Sequence, residues 1–90
     1  MDSSTLLSML KVDLGISTTT SYDERLIQYL TTAQVEIARE GASLEATSTD
    51  DMALVVMYAA WLWRKRDNME GMPRMLRYAL NNRIFQEKMA

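Results

Sequence analysis

An unbroken run of twelve apolar residues, Met52 to Trp63, constrains this chain more than any other feature. Asp50-Asp51 precedes the run and Arg64-Lys65-Arg66 follows it, so charge brackets it at both ends. Ser48 or Thr49 is placed to cap a helix there. The two acids and the three bases complement the dipole at its start and its end. At 100° per residue, Met52, Val56 and Trp63 fall on one side, and Met57, Trp61 and Leu54 fall opposite. Tyr58, Leu62, Val55 and Ala59 fill the remaining arc. A helix that is apolar on every side is expected to be buried on every side. Twelve residues are too few to span a bilayer, which needs about 20.

What can bury such a helix depends on how much chain is available. Ninety residues make one domain, and a domain this small hides only about 60–65% of its unfolded surface. Its 48% hydrophobic and 24% charged residues are ordinary for a folded domain and exclude a disordered tail. Two readings follow. Either three shorter helices wrap the apolar one completely, or one side of it, that of Tyr58 and Trp61, packs on another subunit. Two Trp and one Tyr within six residues are typical interface anchors and favour the second reading.

The remaining pattern is helical as well, with no strand alternation. A first helix is expected over about 4–14, capped by Ser3 or Ser4 and ended by Gly15. A polar Ser/Thr loop follows. The second helix, about 22–40, starts with a Ser21-x-x-Glu24 capping box and carries Leu26, Leu30, Ala33 and Ile37 on one face before Gly41. Leu44, in the linker after it, is expected to tuck against the core. The third helix covers about 49–67. Pro73 suits the first position of a fourth, about 73–88, whose stripe is Met75, Leu76, Ala79, Leu80 and Ile84. The expected fold is an all-α bundle of about four helices around a fully apolar third helix.

The chain contains no His and no Cys. That removes disulfides, thiol nucleophiles, zinc and iron–sulfur ligation, and the usual general base. The acid pairs Asp23/Glu24 and Asp50/Asp51 occupy first helical turns, where capping and dipole effects account for them. No enzyme, no metal and no cofactor are expected. The opening Met1-Asp2-Ser3-Ser4 lacks a basic leader, so a soluble intracellular-type product without membrane association is expected.

Charge is unevenly spread. Residues 1–45 hold seven acids and three bases, and residues 46–90 hold five acids and seven bases, a net −4 against +2. Two dissimilar surfaces are implied. Arg64, Lys65 and Arg66 read first as a solvated helix end. They become a phosphate-contacting or partner-contacting stripe only if Arg74, Arg77, Arg83 and Lys88 share their surface. Arg83 lies in an apolar arc, where snorkelling is the expectation and an intersubunit acid the functional alternative. Met69, Met72 and Met75 cluster around Pro73, either filling core gaps or forming an adaptable contact surface.

Order and character along nearly the whole chain resemble the bacteriophage head–tail connector (head completion adaptor) family. A leader, Leu6-Leu7-Ser8-Met9-Leu10-Lys11, precedes a Gly-ended turn. Tyr22-Asp23-Glu24-Arg25-Leu26-Ile27-Gln28-Tyr29-Leu30 follows, continuing through Ala33 to Ile37. The apolar helix closes in Trp61-Leu62-Trp63-Arg64-Lys65-Arg66. The last helix reads Met72-Pro73-Arg74-Met75-Leu76-Arg77-Tyr78-Ala79-Leu80-Asn81-Asn82-Arg83. The resemblance implies a non-enzymatic virion protein, made in the host cytoplasm, whose copies form a homo-oligomeric ring. The phage portal protein would lie on one side and a tail-joining or stopper protein on the other, with double-stranded DNA only as passing cargo. Where many members have Asn-Arg at the end of the third helix, this chain has Arg64-Lys65-Arg66-Asp67. No extended portal-docking tail like that of some members is expected in this chain, so the last helix would have to supply docking. The reading from another class is a small DNA-binding or regulatory module that exposes Arg74, Arg77, Asn81 and Asn82 on helix four. An isoelectric point near 5.0 weighs against it.

Overall fold

Several helix boundaries in the computed structural model, which describes residues 1–66 and 71–89, have a local cause. Helix α1 (Ser3–Leu14) is capped by Asp2, not by Ser3 or Ser4. The Asp2 carboxylate accepts the Ser4 amide at 3.0 Å and the Thr5 hydroxyl at 2.8 Å. The Thr5 and Ser4 bonds hold that carboxyl below its ordinary range. Gly15 ends α1 in the left-handed region at φ 73°, with its amide on the carbonyls of the last turn.

Helix α2 (Asp23–Arg39) starts without the expected capping box. Tyr22 occupies the cap position with no side-chain bond to the helix, because Ser21 turns back toward Thr19. Asp23 instead binds Lys11 at 2.9 Å and ties α2 to α1. Gly41, at φ 115°, follows the last turn. Helix α3 (Thr49–Lys65) is capped by Ser48, whose hydroxyl accepts the Asp51 amide at 3.2 Å. Helix α4 (Arg74–Met89) begins just after Pro73, whose carbonyl accepts the first helical bond from Arg77.

The chain is therefore all-helical among the described residues, four helices in a compact globule with a radius of gyration of 12.8 Å. One core joins them. Leu6 and Leu10 come from α1, Leu26, Leu30, Ala33 and Ile37 from α2, Leu54, Val55 and Ala59 from α3, and Leu76 and Leu80 from α4. Each large aliphatic side chain hidden this way contributes about 1.5–3 kcal/mol. Leu44 packs against this core from the α2–α3 linker, as its position in the sequence implies. No helix among the described residues is long and apolar enough to cross a membrane.

Helix α3 packs most extensively against α2, with α1 and α4 packed on it as well. It is not enclosed on all sides within the subunit. Ala53 and Met57 remain exposed, Met57 at 39%. The reason is that α1 and α4 rise on either side of this stripe without closing over it, so the stripe becomes the floor of a trough.

Candidate functional site

The trough is built from α3 outward. On the α1 side, Ser8, Met9, Val12 and Asp13 face Ala53, Val56 and Met57 across a groove of about 540 Å³. On the α4 side, Ala53, Leu54 and Met57 face Ala79, Asn82, Arg83 and Gln86 across a second hollow of about 270 Å³. Toward the end of α3, Met57, Ala60, Trp61 and Arg64 meet Pro73, Met75 and Asp13 in a third. Met57 lines all three, so the depressions form one surface centred on it. Asp50 borders one end and Asp13 the other.

A second exposed apolar feature runs along α4 and adjoins the trough, since Met75 and Asn82 also line it. Met75, Tyr78, Phe85 and Met89 are each between 63% and 73% exposed, and Asn82 between them is exposed too. Their spacing of three, four, three and four residues is that of a seam meant to lie against another element. The sequence carried this signal openly, in the intervals 75–78–82–85–89. It was obscured because Met75 also fits the stripe of Leu76 and Leu80. The structure separates the two: Leu76 and Leu80 are buried, Ala79 and Ile84 are half-buried, and Met75 faces out.

The expected contact residues therefore divide. Tyr58 is only 6% exposed and stacks edge-on against Trp61 at 5.4 Å inside the subunit, so it is not an anchor presented to a partner. Burial raises its phenol above the ordinary range. Trp61 is half-buried, donates its indole N–H to the Gly71 carbonyl at 3.1 Å, and carries the Lys65 ammonium 4.5 Å above its ring. Met72 is packed against the core, Met75 is exposed, and Met69 lies outside the described residues. Of the two described methionines, one packs inward and the other faces out.

The basic residues do not merge into one stripe either. Arg64 reaches Asp13 at 3.7 Å, Lys65 covers Trp61, and the Arg66 guanidinium sits 3.6 Å over the Trp63 ring. Trp63 in turn meets Tyr22 at 5.1 Å and Tyr29 at 6.4 Å, both edge-on. Arg77 forms a two-pronged pair with Glu40, at 2.7 and 3.3 Å, joining α4 to the end of α2. Arg74 stands exposed at the start of α4.

Arg83 does not snorkel. Its guanidinium donates to Asp51 at 2.7 and 3.4 Å, to Glu87 at 3.1 Å and to the Ser43 carbonyl at 2.6 Å, all within the chain. Asp51, in the first turn of α3, is 3% exposed and also accepts the Glu45 amide at 2.8 Å. Burial pushes its carboxyl up, but Arg83 and the Glu45 amide outweigh burial and hold it below the ordinary range. The Ser43 amide and Arg83 likewise lower Glu87. The network fastens α4 and the 43–45 linker to the start of α3, fixing how α4 stands beside the trough.

No family model, no curated protein and no solved structure matches this chain.

Proposed function

We propose that this protein is a structural subunit that assembles with copies of itself into the ring of a bacteriophage head–tail connector. In this reading the ring joins the phage portal protein to a tail-joining or stopper protein, its site of action is the virion, and double-stranded DNA passes through without sequence readout. The sequence resemblance supplies the family. The observation that carries the assembly is the surplus apolar surface, a trough over Met57 and the Met75–Met89 seam of α4 that adjoins it. A contiguous exposed apolar patch of several hundred Å² is often functional, and contact with protein is the role it suits here. Two different apolar surfaces suit a head-to-tail contact, in which one face of each subunit meets another face of its neighbour and the rotation closes a ring.

The α3 surface left open in the subunit would be covered in the ring, which is how the apolar run of the third helix would complete its burial. The reading as a DNA-binding module fits less well. Arg77 is held by Glu40, and the exposed arc of α4 next to Arg74 and Asn81 is apolar rather than basic. Electron microscopy of the purified protein with the cognate portal tests the proposal. Rings with a central channel that cap the portal are expected. A protein that neither forms rings nor binds the portal, and that shifts duplex DNA with a steep salt dependence and a sequence preference, would replace it with the regulatory reading.

A further inference from the structure

We infer that the seam Met75–Tyr78–Asn82–Phe85–Met89 of one copy docks in the α1–α3 trough of a second copy, around Val12 and Met57. This inference rests on the self-assembly proposed above and assigns its two faces. Three observations lead to a second copy as the occupant.

The first is area. Four large apolar side chains at roughly two-thirds exposure present about 500 Å², a large share of the roughly 800 Å² per partner that a stable complex buries. The trough is the matching concavity, and its walls Met9, Val12 and Met57 are flexible or small enough to admit methionine and aromatic side chains.

The second is charge. The helix carrying the seam holds Arg74, Arg77, Arg83 and Lys88 against one acid, Glu87. Arg77 and Arg83 are engaged inside the subunit, which leaves Arg74 and Lys88 beside the seam, fourteen residues or about 21 Å apart. The α1–α3 trough carries one charged lining residue, the acid Asp13, which reaches Arg64 near the end of α3, while Asp50 lines the neighbouring hollow beside α4. Arg64 meets Asp13 at 3.7 Å, a contact open enough for a second cation to share the carboxylate. The cations beside the seam thus meet a trough whose one charged lining residue is acidic.

The third is economy of exposed surface. Pairing α4 with α4 of another copy sets Arg74 and Lys88 against their own kind in an antiparallel arrangement and leaves the trough bare in any arrangement. Seating α4 in the trough covers both apolar surfaces with one repeating contact. Asn82, in the middle of the seam, sets register there, because a polar side chain at a buried seam position must find its partner.

The test uses two double variants at exposed positions, Tyr78→Lys with Phe85→Lys on the seam and Val12→Lys with Met57→Lys in the trough. Native mass is measured for the wild type, for each variant and for their equimolar mixture, and circular dichroism checks that each variant folds. Both variants alone are expected to lose assembly, with the midpoint concentration raised at least tenfold. Their mixture is expected to give two-chain species and nothing larger, since only one intact seam meets one intact trough. A trough variant that assembles like the wild type overturns the inference in favour of α4–α4 pairing. Wild-type assembly that neither variant weakens overturns it while leaving the ring reading intact. A wild type that stays a single chain at every concentration overturns both.

Single cysteines give an independent readout, since the chain has none of its own. Val12→Cys and Tyr78→Cys, mixed and oxidised, are expected to cross-link to each other. Cross-linking of Tyr78→Cys only to itself would overturn the assignment.

Discussion

Replacing Arg83 with methionine keeps an aliphatic stem of similar reach and removes the guanidinium shared by Asp51, Glu87 and the Ser43 carbonyl. Asp51 is then left at 3% exposure with the Glu45 amide as its remaining partner beyond the helix. Removing one partner of a fully buried pair costs about 3–5 kcal/mol. The Arg83 side chain is 17% exposed, so water reaches part of the site, and about 2–3 kcal/mol is expected here. A 90-residue domain has a total stability of about 5–13 kcal/mol, so the loss is large and lowers the melting temperature by about 10–20 °C. Asp51→Asn should cost less, about 1–2 kcal/mol, because an amide oxygen still accepts from Glu45 and Arg83 keeps Glu87 and Ser43.

The assay is urea unfolding followed by circular dichroism across a pH series. Asp51 and Glu87 have folded pKa values below their unfolded ones. Their contribution is present above the unfolded carboxylate range, near 4, and is lost as the pH falls through the folded values below it. The wild-type advantage over Arg83→Met should therefore shrink as the pH drops from about 5 toward about 3. A variant within about 0.5 kcal/mol of wild type at pH 7, or a difference unchanged at the acid end, would refute the reasoning.

Three further outcomes are expected. Gly15→Ala should cost about 1–2 kcal/mol by urea unfolding, because nothing within 4 Å would meet the new Cβ and the penalty is the left-handed backbone alone at φ 73°. Ser48→Ala, which removes the α3 cap, should cost about 1 kcal/mol, whereas Ser21→Ala, expected from sequence to be equivalent, should change stability by less than about 0.5 kcal/mol. Leu80→Ala, at a fully buried position where α4 meets the core, should cost about 2–5 kcal/mol, measured as a lower urea midpoint with the slope unchanged.

Much of the fold was legible because its punctuation is local. Gly15, Gly41 and Ser48 each act within one turn of chain, and the period of Leu26, Leu30, Ala33 and Ile37 fixes the buried face of α2 without reference to any other helix. What failed were choices between adjacent candidates. Asp2 and Ser3 both suit a cap, and only the path of the backbone decides for Asp2. Ser21 and Glu24 fit a capping box, but Thr19 competes for the Ser21 hydroxyl. The partners of Arg83 were hidden because Asp51 lies 32 positions away, and its role in the first turn of α3 already explained it. The trough was least legible. Whether Ala53 and Met57 are covered depends on how far α1 and α4 splay, a long-range quantity that no window of sequence encodes. The seam, by contrast, stood in the spacing of α4 but shared its first member with the buried stripe.

In the proposed assembly this subunit completes its apolar burial against its own copies. Native mass measured from nanomolar to hundreds of micromolar protein, at low and high salt, tests it most directly. The mass is expected to climb with concentration past two chains to a closed ring and to shift with salt, since charged groups border the contact. A single-chain mass throughout, or a salt-insensitive dimer that goes no further, would contradict it.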